Sequence, residues 1–408
     1  MEVKDFARSR QIRASLWELP RTVWLIGFIS LLNDTASEML YPLVPLYLSS
    51  VLLAGPKALG LIEGIAEATS SLLKLVSGAL VDRTHRSKPF IVGGYALAGF
   101  VRPLLTLAQS WPAVLVIRFA DRVGKGLRSS PRDALLAGSV TAENRGLAFG
   151  LYRAMDNAGA VLGPLIACLL LAKGLALREI FRIAILPAVA CFGLSLALRE
   201  APHPETLTMK PPFNWTLAGL PPAFKRYLFA LGLFSLGNSS NMFLLLRARE
   251  LGLPQAYVPL AWAAVSFIAM LFSTPLSALS DRFGRTRLIL AGWLAYGLFY
   301  LGLGFLPPAR PLALYGLFAF YGLFMAATEG AEKALVADLA PRFLVGTAFG
   351  WFHLVSGALL LPASLIFGWL YEQLGARCAF GFSAACVLIA VLLLRVWVRV
   401  PQAAGPMK

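Results

Sequence analysis

Long apolar runs, each close to the length of a membrane span, divide this chain from end to end. A helix needs about 20 mostly apolar residues to cross the hydrocarbon core of a bilayer. Of the 408 residues, 58% are hydrophobic, which is too many for a soluble fold to cover with polar groups. The sequence therefore predicts an all-α membrane protein with about twelve transmembrane helices. The predicted spans lie near residues 22–50, 58–81, 89–109, 112–139, 146–172, 179–198, 226–247, 256–280, 287–306, 311–338, 345–372 and 377–399.

Basic residues indicate which breaks between spans face the cytoplasm. The formal net charge is +16, and the basic side chains gather in the even-numbered breaks and in the two tails, residues 1–21 and 400–408. This is the positive-inside pattern, so we expect a multi-pass protein of a bacterial-type inner membrane with both termini cytoplasmic. Because these charges lie between apolar runs and not on a soluble domain, we expect no nucleic-acid partner. Membrane lipid and a small solute are the expected partners, and we expect a monomer.

The chain repeats itself at about half its length. The segment Gly146–Gly150 recurs as Gly346–Gly350, and Asn33 in the first span has a counterpart in Asn238 in the seventh. Such duplication is typical of transporters whose binding site lies between repeats. It predicts two pseudo-symmetric six-helix bundles.

A polar, proline-rich stretch at the midpoint is the natural boundary between these bundles. We predict bundles at residues 22–198 and 226–399, joined by a cytoplasmic linker at 199–225.

Two charged loops carry the same motif in the two halves. The first contains Gly78, Asp82, Arg83 and Arg86, and the second contains Asp281, Arg282, Gly284 and Arg285. Both resemble the loop motif G-x-x-x-D-R-x-G-R-R of major facilitator transporters, although His85 replaces the second glycine in the first copy and Ser277 the first glycine in the second. The resemblance implies that the loops are gates of alternating access. It implies that Asp82 faces the start of the eleventh span near Gly346, and that Asp281 faces the start of the fifth near Gly146. A helix N-terminus attracts negative charge.

The fifth span contains Gly159, Gly163 and Pro164 in the order G-x-x-x-G-P. This is similar to a motif of major facilitator exporters that work as antiporters, so the resemblance favours proton-coupled export. Small residues at this spacing also serve helix packing alone.

Ionisable residues inside predicted spans are costly and therefore informative. Asp34 and Glu38 lie one turn apart, and Glu67 is on the next span; these are the candidate proton carriers. Candidates for the substrate cavity are Arg118, Arg122, Lys125, Arg153, Asp156, Asn238, Asn241 and Glu329. Three of the basic residues share one helix face near mid-membrane, which favours a substrate with an anionic group. The alternative is a set of internal ion pairs, such as Glu329 with Lys333 one turn away.

Other function classes lack their signatures. The sequence has no H-E-x-x-H, no G-x-S-x-G and no P-loop, so we expect neither an enzyme nor an ATP-driven pump, and no cofactor. Proton-coupled antiport in the direction of efflux is the preferred function. A proton-coupled importer remains an alternative. So does a carrier of a metal or metal chelate, with oxygen ligands from Asp34, Glu38, Glu63 and Glu67.

Overall fold

The structure is a computed structural model that describes residues 16–41, 43–53, 56–200, 216–253, 258–308 and 311–397. Within these ranges it is helical and contains no strand. The helices of the first half are α1 (Arg21–Leu40), α2 (Leu43–Leu46), α3 (Pro56–Thr84), α4 (Lys88–Val101), α5 (Trp111–Gly138), α6 (Arg145–Ala172), α7 (Leu177–Ile183) and α8 (Ile185–Leu196). Those of the second half are α9 (Pro222–Gly237), α10 (Asn241–Glu250), α11 (Val258–Phe283), α12 (Arg285–Phe305), α13 (Pro311–Leu339), α14 (Val345–Ala358), α15 (Leu360–Leu374) and α16 (Ala376–Trp397).

These helices follow the twelve predicted spans in order, which confirms the predicted fold class. Eight helical segments of the described chain are long and apolar enough to cross a membrane by length and composition alone. The first, second, fourth and seventh predicted spans are not among them. Two of these spans are broken into shorter helices, and the other two, α3 and α5, carry several charged side chains. Charged side chains and helix breaks are therefore concentrated in these four spans. Ionisable groups inside a span are typical of helices that line a transport pathway.

Helix interruptions have local causes. α4 ends at Val101 and continues as a 3₁₀ segment, Arg102–Leu107, because Pro103 has no N–H to extend the α-helical ladder. The seventh span breaks at residues 238–240, between α9 and α10. Non-helical backbone at membrane depth is tolerated only where it is buried in protein or lines a cavity.

Glycines bring α1 and α6 into backbone contact. A Cβ atom on Gly163 would lie 2.8 Å from both the Met39 nitrogen and the Thr35 oxygen of α1. A Cβ atom on Gly159 would overlap the carbonyl oxygen of Leu31. The exporter-like motif of the fifth span, which continues to Pro164 inside α6, therefore works as a packing surface in this fold.

The two halves meet at the end of the molecule that carries Asp82 and Asp281, which we call the loop end. There α3 contacts α14, and α6 contacts α11 and α13. Gly78 lies against the Gly346 backbone, and Gly146 lies against the Ser277 backbone. Backbone contacts this short hold the loop end closed.

The start of the linker is fastened to the first half. The backbone N–H groups of Ser87 and Lys88, at the beginning of α4, donate to the Glu200 carboxylate at 3.0 and 2.7 Å. Residues 201–215 of the linker and most of both tails lie outside the described residues.

Candidate transport site

Asp82 binds the N-terminus of α14 at the loop end. Its two carboxylate oxygens accept the backbone N–H groups of Gly346 at 2.8 Å and Thr347 at 2.6 Å, and its side chain is buried. The N–H groups of a helix's first turn have no partner within the helix, so a carboxylate satisfies them and meets the positive end of the helix dipole. This contact joins the first half of the chain to the second.

Asp281 makes the corresponding contact in the opposite sense. It accepts the N–H groups of Gly146 and Leu147, both at 2.9 Å, at the start of α6. Arg285 also pairs with Asp281 and reaches Asp338 at 3.0 Å. The second copy of the motif therefore has an ion-pair network around the contact, whereas the Asp82 carboxylate is held by backbone groups.

The inner glycine of the loop motif occupies a left-handed backbone region. Gly284 has φ +95°, and His85, which replaces glycine in the first copy, is held at φ +53°. Glycine adopts this region freely and a side chain does not. The remaining motif cations Arg83, Arg86 and Arg282 have exposed side chains.

Asp34 of α1 and Asp156 of α6 form a carboxyl pair inside the first half. Their side chains are in hydrogen-bonding contact. Asp156 also accepts the Ser30 hydroxyl at 2.5 Å and an Arg153 N–H at 2.5 Å, whereas Asn33 donates to Asp34 at 2.7 Å. Two carboxyl groups in contact repel when both are ionised and bond when they share one proton. A pair of this kind can share one proton between two helices.

Arg153 connects this carboxyl pair to the other half of the protein. Its guanidinium donates to Glu329 of α13 as well as to Asp156, with Nε 2.6 Å from the Glu329 carboxylate. A change of charge at the pair therefore acts directly on an ion pair between the halves.

A second ion cluster crosses between the halves at Asp133 of α5. Its fully buried carboxylate lies 2.9 Å from Lys333 Nζ of α13 and 2.9 Å from His353 Nε2 of α14. Glu329 and Lys333 thus each bind a residue of the first half, and the intrahelical pair suggested by their spacing is wrong. Sequence reasoning did not select Asp133, which among the described residues pairs with two side chains from the other half.

Arg118 and Arg122 of the fourth span are paired with carboxylates. Arg118 lies 3.5 Å from Asp121, which Arg102 also binds at 2.8 Å. Arg122 lies 3.8 Å from Glu67, whose side chain is one-third exposed. The ammonium group of Lys125, on the same helix, makes neither an ion pair nor a hydrogen bond among the described residues, whereas the Lys125 carbonyl accepts the Ser129 hydroxyl.

In the second half, the polar candidates lie beside tyrosines. Tyr296 donates to Asn238 at 3.1 Å, and Tyr321 donates to Asn241 at 3.2 Å. Asn238 lies in the break of the seventh span, and Asn241 is the first residue after it. On α1, Glu38 lies against Gly163.

Oxygen ligands for a metal do not converge in the part of the chain that the structure describes. No group of three or more His, Cys, Asp or Glu residues there is placed to hold an ion. The side chain of Glu63, which belonged to the predicted set, lies outside the described residues.

Comparison with known proteins decides the family. A sequence profile of the Major Facilitator Superfamily matches residues 24–246 and 227–407. The chain belongs to the major facilitator superfamily. An uncharacterized MFS-type transporter of Methanocaldococcus jannaschii is 34% identical over 387 residues, covering 92% of this chain and 95% of that protein. The multidrug resistance protein MdtH of Yersinia pestis is 26% identical over 361 residues, covering 86% of each chain.

Solved structures share the fold. The human organic anion transporter MFSD10 superposes with a TM-score of 0.73 at 18% identity, covering 92% of this chain and all of that one. The proton:xylose symporter XylE superposes with a TM-score of 0.75 at 18% identity, covering 93% and 95%. Its membership of the superfamily makes the chain a multi-pass membrane transporter for small molecules and, at the level of the family, not an enzyme.

Proposed function

We propose that this major facilitator protein is a proton-coupled antiporter that exports a small organic solute by alternating access. The observation that carries the proposal is the Asp34–Asp156 carboxyl pair, joined through Arg153 to Glu329 of the other half. A proton-coupled carrier needs a site that gains and loses a proton, and a link from that site to the contact between its halves. This arrangement supplies both.

The electrostatics of the pair give a coupling mechanism. With one proton, the pair carries a single negative charge, and Arg153 is shared between Asp156 and Glu329. Loss of the proton adds a second negative charge beside Arg153, which strengthens its hold on the pair and changes its contact with Glu329. Proton loading and the contact between halves therefore influence each other, as linkage requires.

The loop-end contacts support an outward-open state. The basic loops predict that this end is cytoplasmic, with both termini and the 199–225 linker on the same side. Closure there, through Asp82 and Asp281, leaves the opposite side for solute exchange. In the alternating state these contacts break, and bundles 22–198 and 226–399 rock about the central site.

Export is the preferred direction for two reasons. The Gly159–Pro164 segment resembles that of exporting antiporters, and MdtH, a relative over most of the chain, is named a multidrug resistance protein.

The test uses inverted membrane vesicles and a panel of fluorescent cationic, neutral and anionic solutes. An acidic interior should drive uptake of at least one solute, and a proton-exchanging ionophore should abolish it. Asp34→Asn should abolish this driven uptake but preserve solute-for-solute exchange, which needs no net proton movement. Solute uptake that does not depend on the pH gradient, or that is driven by an alkaline interior, would contradict proton antiport.

A further inference from the structure

Lys74 of α3 and Lys125 of α5 are two lysines of the first half that lie inside the predicted spans. Lys74 is only 8% exposed, and neither ammonium group has an ion pair or side-chain hydrogen bond among the described residues. Each lies within electrostatic range of Glu67, which is paired with Arg122. Lys125 is also within electrostatic range of Glu38 and Asp34. Among the described residues none of these carboxylates forms an ion pair with either ammonium group, and an ammonium group removed from water without a contact partner is unfavourable, so the two lysines favour an anion in direct contact.

Unsatisfied hydroxyl groups lie beside Lys74. The Ser70 and Ser71 oxygens are buried and have no hydrogen-bond partner among the described residues. Both serines precede Lys74 by about one turn and therefore share its helix face. Buried hydroxyl groups nearly always have a partner, and an orphaned pair next to an unpaired lysine indicates a missing acceptor.

The contacts of this surface place it between the two halves. Gly126, next to Lys125, lies against Ser70, and Gly357 of α14 lies against Ser71. The ammonium and hydroxyl groups thus belong to helices of the first half that face a helix of the second. A ligand here would contact both bundles, as alternating access requires of a transported solute.

We propose that Lys74 and Lys125 bind an oxyanion group of the transported solute, a carboxylate, phosphate or sulfate, with Ser70 and Ser71 as additional donors. The proposal rests on the proposed transport function, because it identifies the chemical class of the solute. It also changes the residues expected to bind the anion. Arg118 and Arg122 are engaged with Asp121 and Glu67, so the sequence-predicted basic stripe contributes Lys125 alone, and Lys74 joins it from another helix.

An equilibrium binding experiment tests this without a known solute. The purified full-length protein is unfolded by heat in detergent while a thiol-reactive dye reports exposure of the buried Cys191 and Cys386. Inorganic phosphate, sulfate and citrate are the probes, and choline and glucose at matched ionic strength are the controls. A ligand that binds the folded state raises Tm by mass action.

We expect at least one oxyanion to raise Tm in a saturable way, and choline and glucose to leave it unchanged. Lys74→Gln and Lys125→Gln should each weaken the apparent affinity about tenfold or more, as loss of a charge-assisted hydrogen bond predicts. Lys74→Arg and Lys125→Arg should retain binding, which separates charge from folding. Lys225→Gln, at an exposed lysine of α9, is the matched control and should bind like the wild type.

Failure of this proposal is distinguishable from failure of proton coupling. Asp34→Asn protein should keep the oxyanion response, because binding at equilibrium needs no proton cycle. Absence of any oxyanion response in the wild type, or an equal response in the Lys74→Gln/Lys125→Gln double variant, would overturn the two-lysine site.

Discussion

Replacing Asp82 with asparagine should open the loop end. The carboxylate accepts two N–H groups of the α14 N-terminus, at 2.8 and 2.6 Å, from a buried position. Asparagine keeps one acceptor oxygen and turns an NH₂ group toward the other donor, so one charge-assisted hydrogen bond is lost. Such a bond contributes about 1.5–3 kcal/mol, which corresponds to a population shift of about 10- to 150-fold.

Distances between spin labels measure that shift. Ala142 and Phe343 are exposed, lie in opposite halves and flank a cavity of about 720 Å³ at the loop end, so labelled cysteines at these sites report its opening. In a background without the native cysteines, Asp82→Asn should add or enlarge a long-distance population. Arg83→Gln, which removes the neighbouring exposed charge, should not. An unchanged distribution in Asp82→Asn, together with normal transport, would make Asp82 a loop charge without a gating role.

Three further substitutions test separate parts of the account. Lys333→Met should remove one of the two contacts that Asp133 makes with the other half, while Arg132 and His353 remain as its partners, so the closed state should lose about 1.5–3 kcal/mol; a loop-end distance that stays short would contradict this. His85→Gly should stabilise the protein by about 1 kcal/mol, because it removes a side chain from a left-handed backbone position; a lower melting temperature would refute that reading. Gly159→Val should separate α1 from α6, because the valine side chain would overlap the Leu31 carbonyl oxygen. Size-exclusion chromatography should then show a loss of folded protein. A wild-type yield and melting temperature would contradict close packing there.

The sequence was sufficient for the fold because its signals are repeated along the chain. Each apolar run predicts one span, and each basic break predicts which side of the membrane a loop faces. The half-repeat relates Asp82 to Asp281. The family resemblance of those two loops also indicated the helix ends that the two aspartates contact in the structure. The gating role of these contacts remains a prediction.

The partners of the charged side chains inside the spans were harder to predict from the sequence. Spacing along one helix suggested that Glu329 pairs with Lys333, but three-dimensional packing gives each of them a partner from the first half. The contact between Asp34 and Asp156 depends on the rotation of two helices far apart in sequence, which periodicity does not fix. The presence of a carboxylate near the middle of both the first and the fifth span was the sequence signal that could have suggested the Asp34–Asp156 contact.

The most direct measurement of the central claim is the pH dependence of the loop-end distance in Asp34→Asn protein. With labels at Ala142 and Phe343, the wild-type distribution should change reversibly between acidic and alkaline buffer, because the Asp34–Asp156 pair gains or loses a proton beside Arg153. In Asp34→Asn the pair no longer exists, and the distribution should change much less between the two buffers; the remaining change comes from the loop end itself, where burial raises the pKa of Asp82 to about 7. A pH response that survives unchanged in Asp34→Asn would contradict the account and remove proton coupling from this pair.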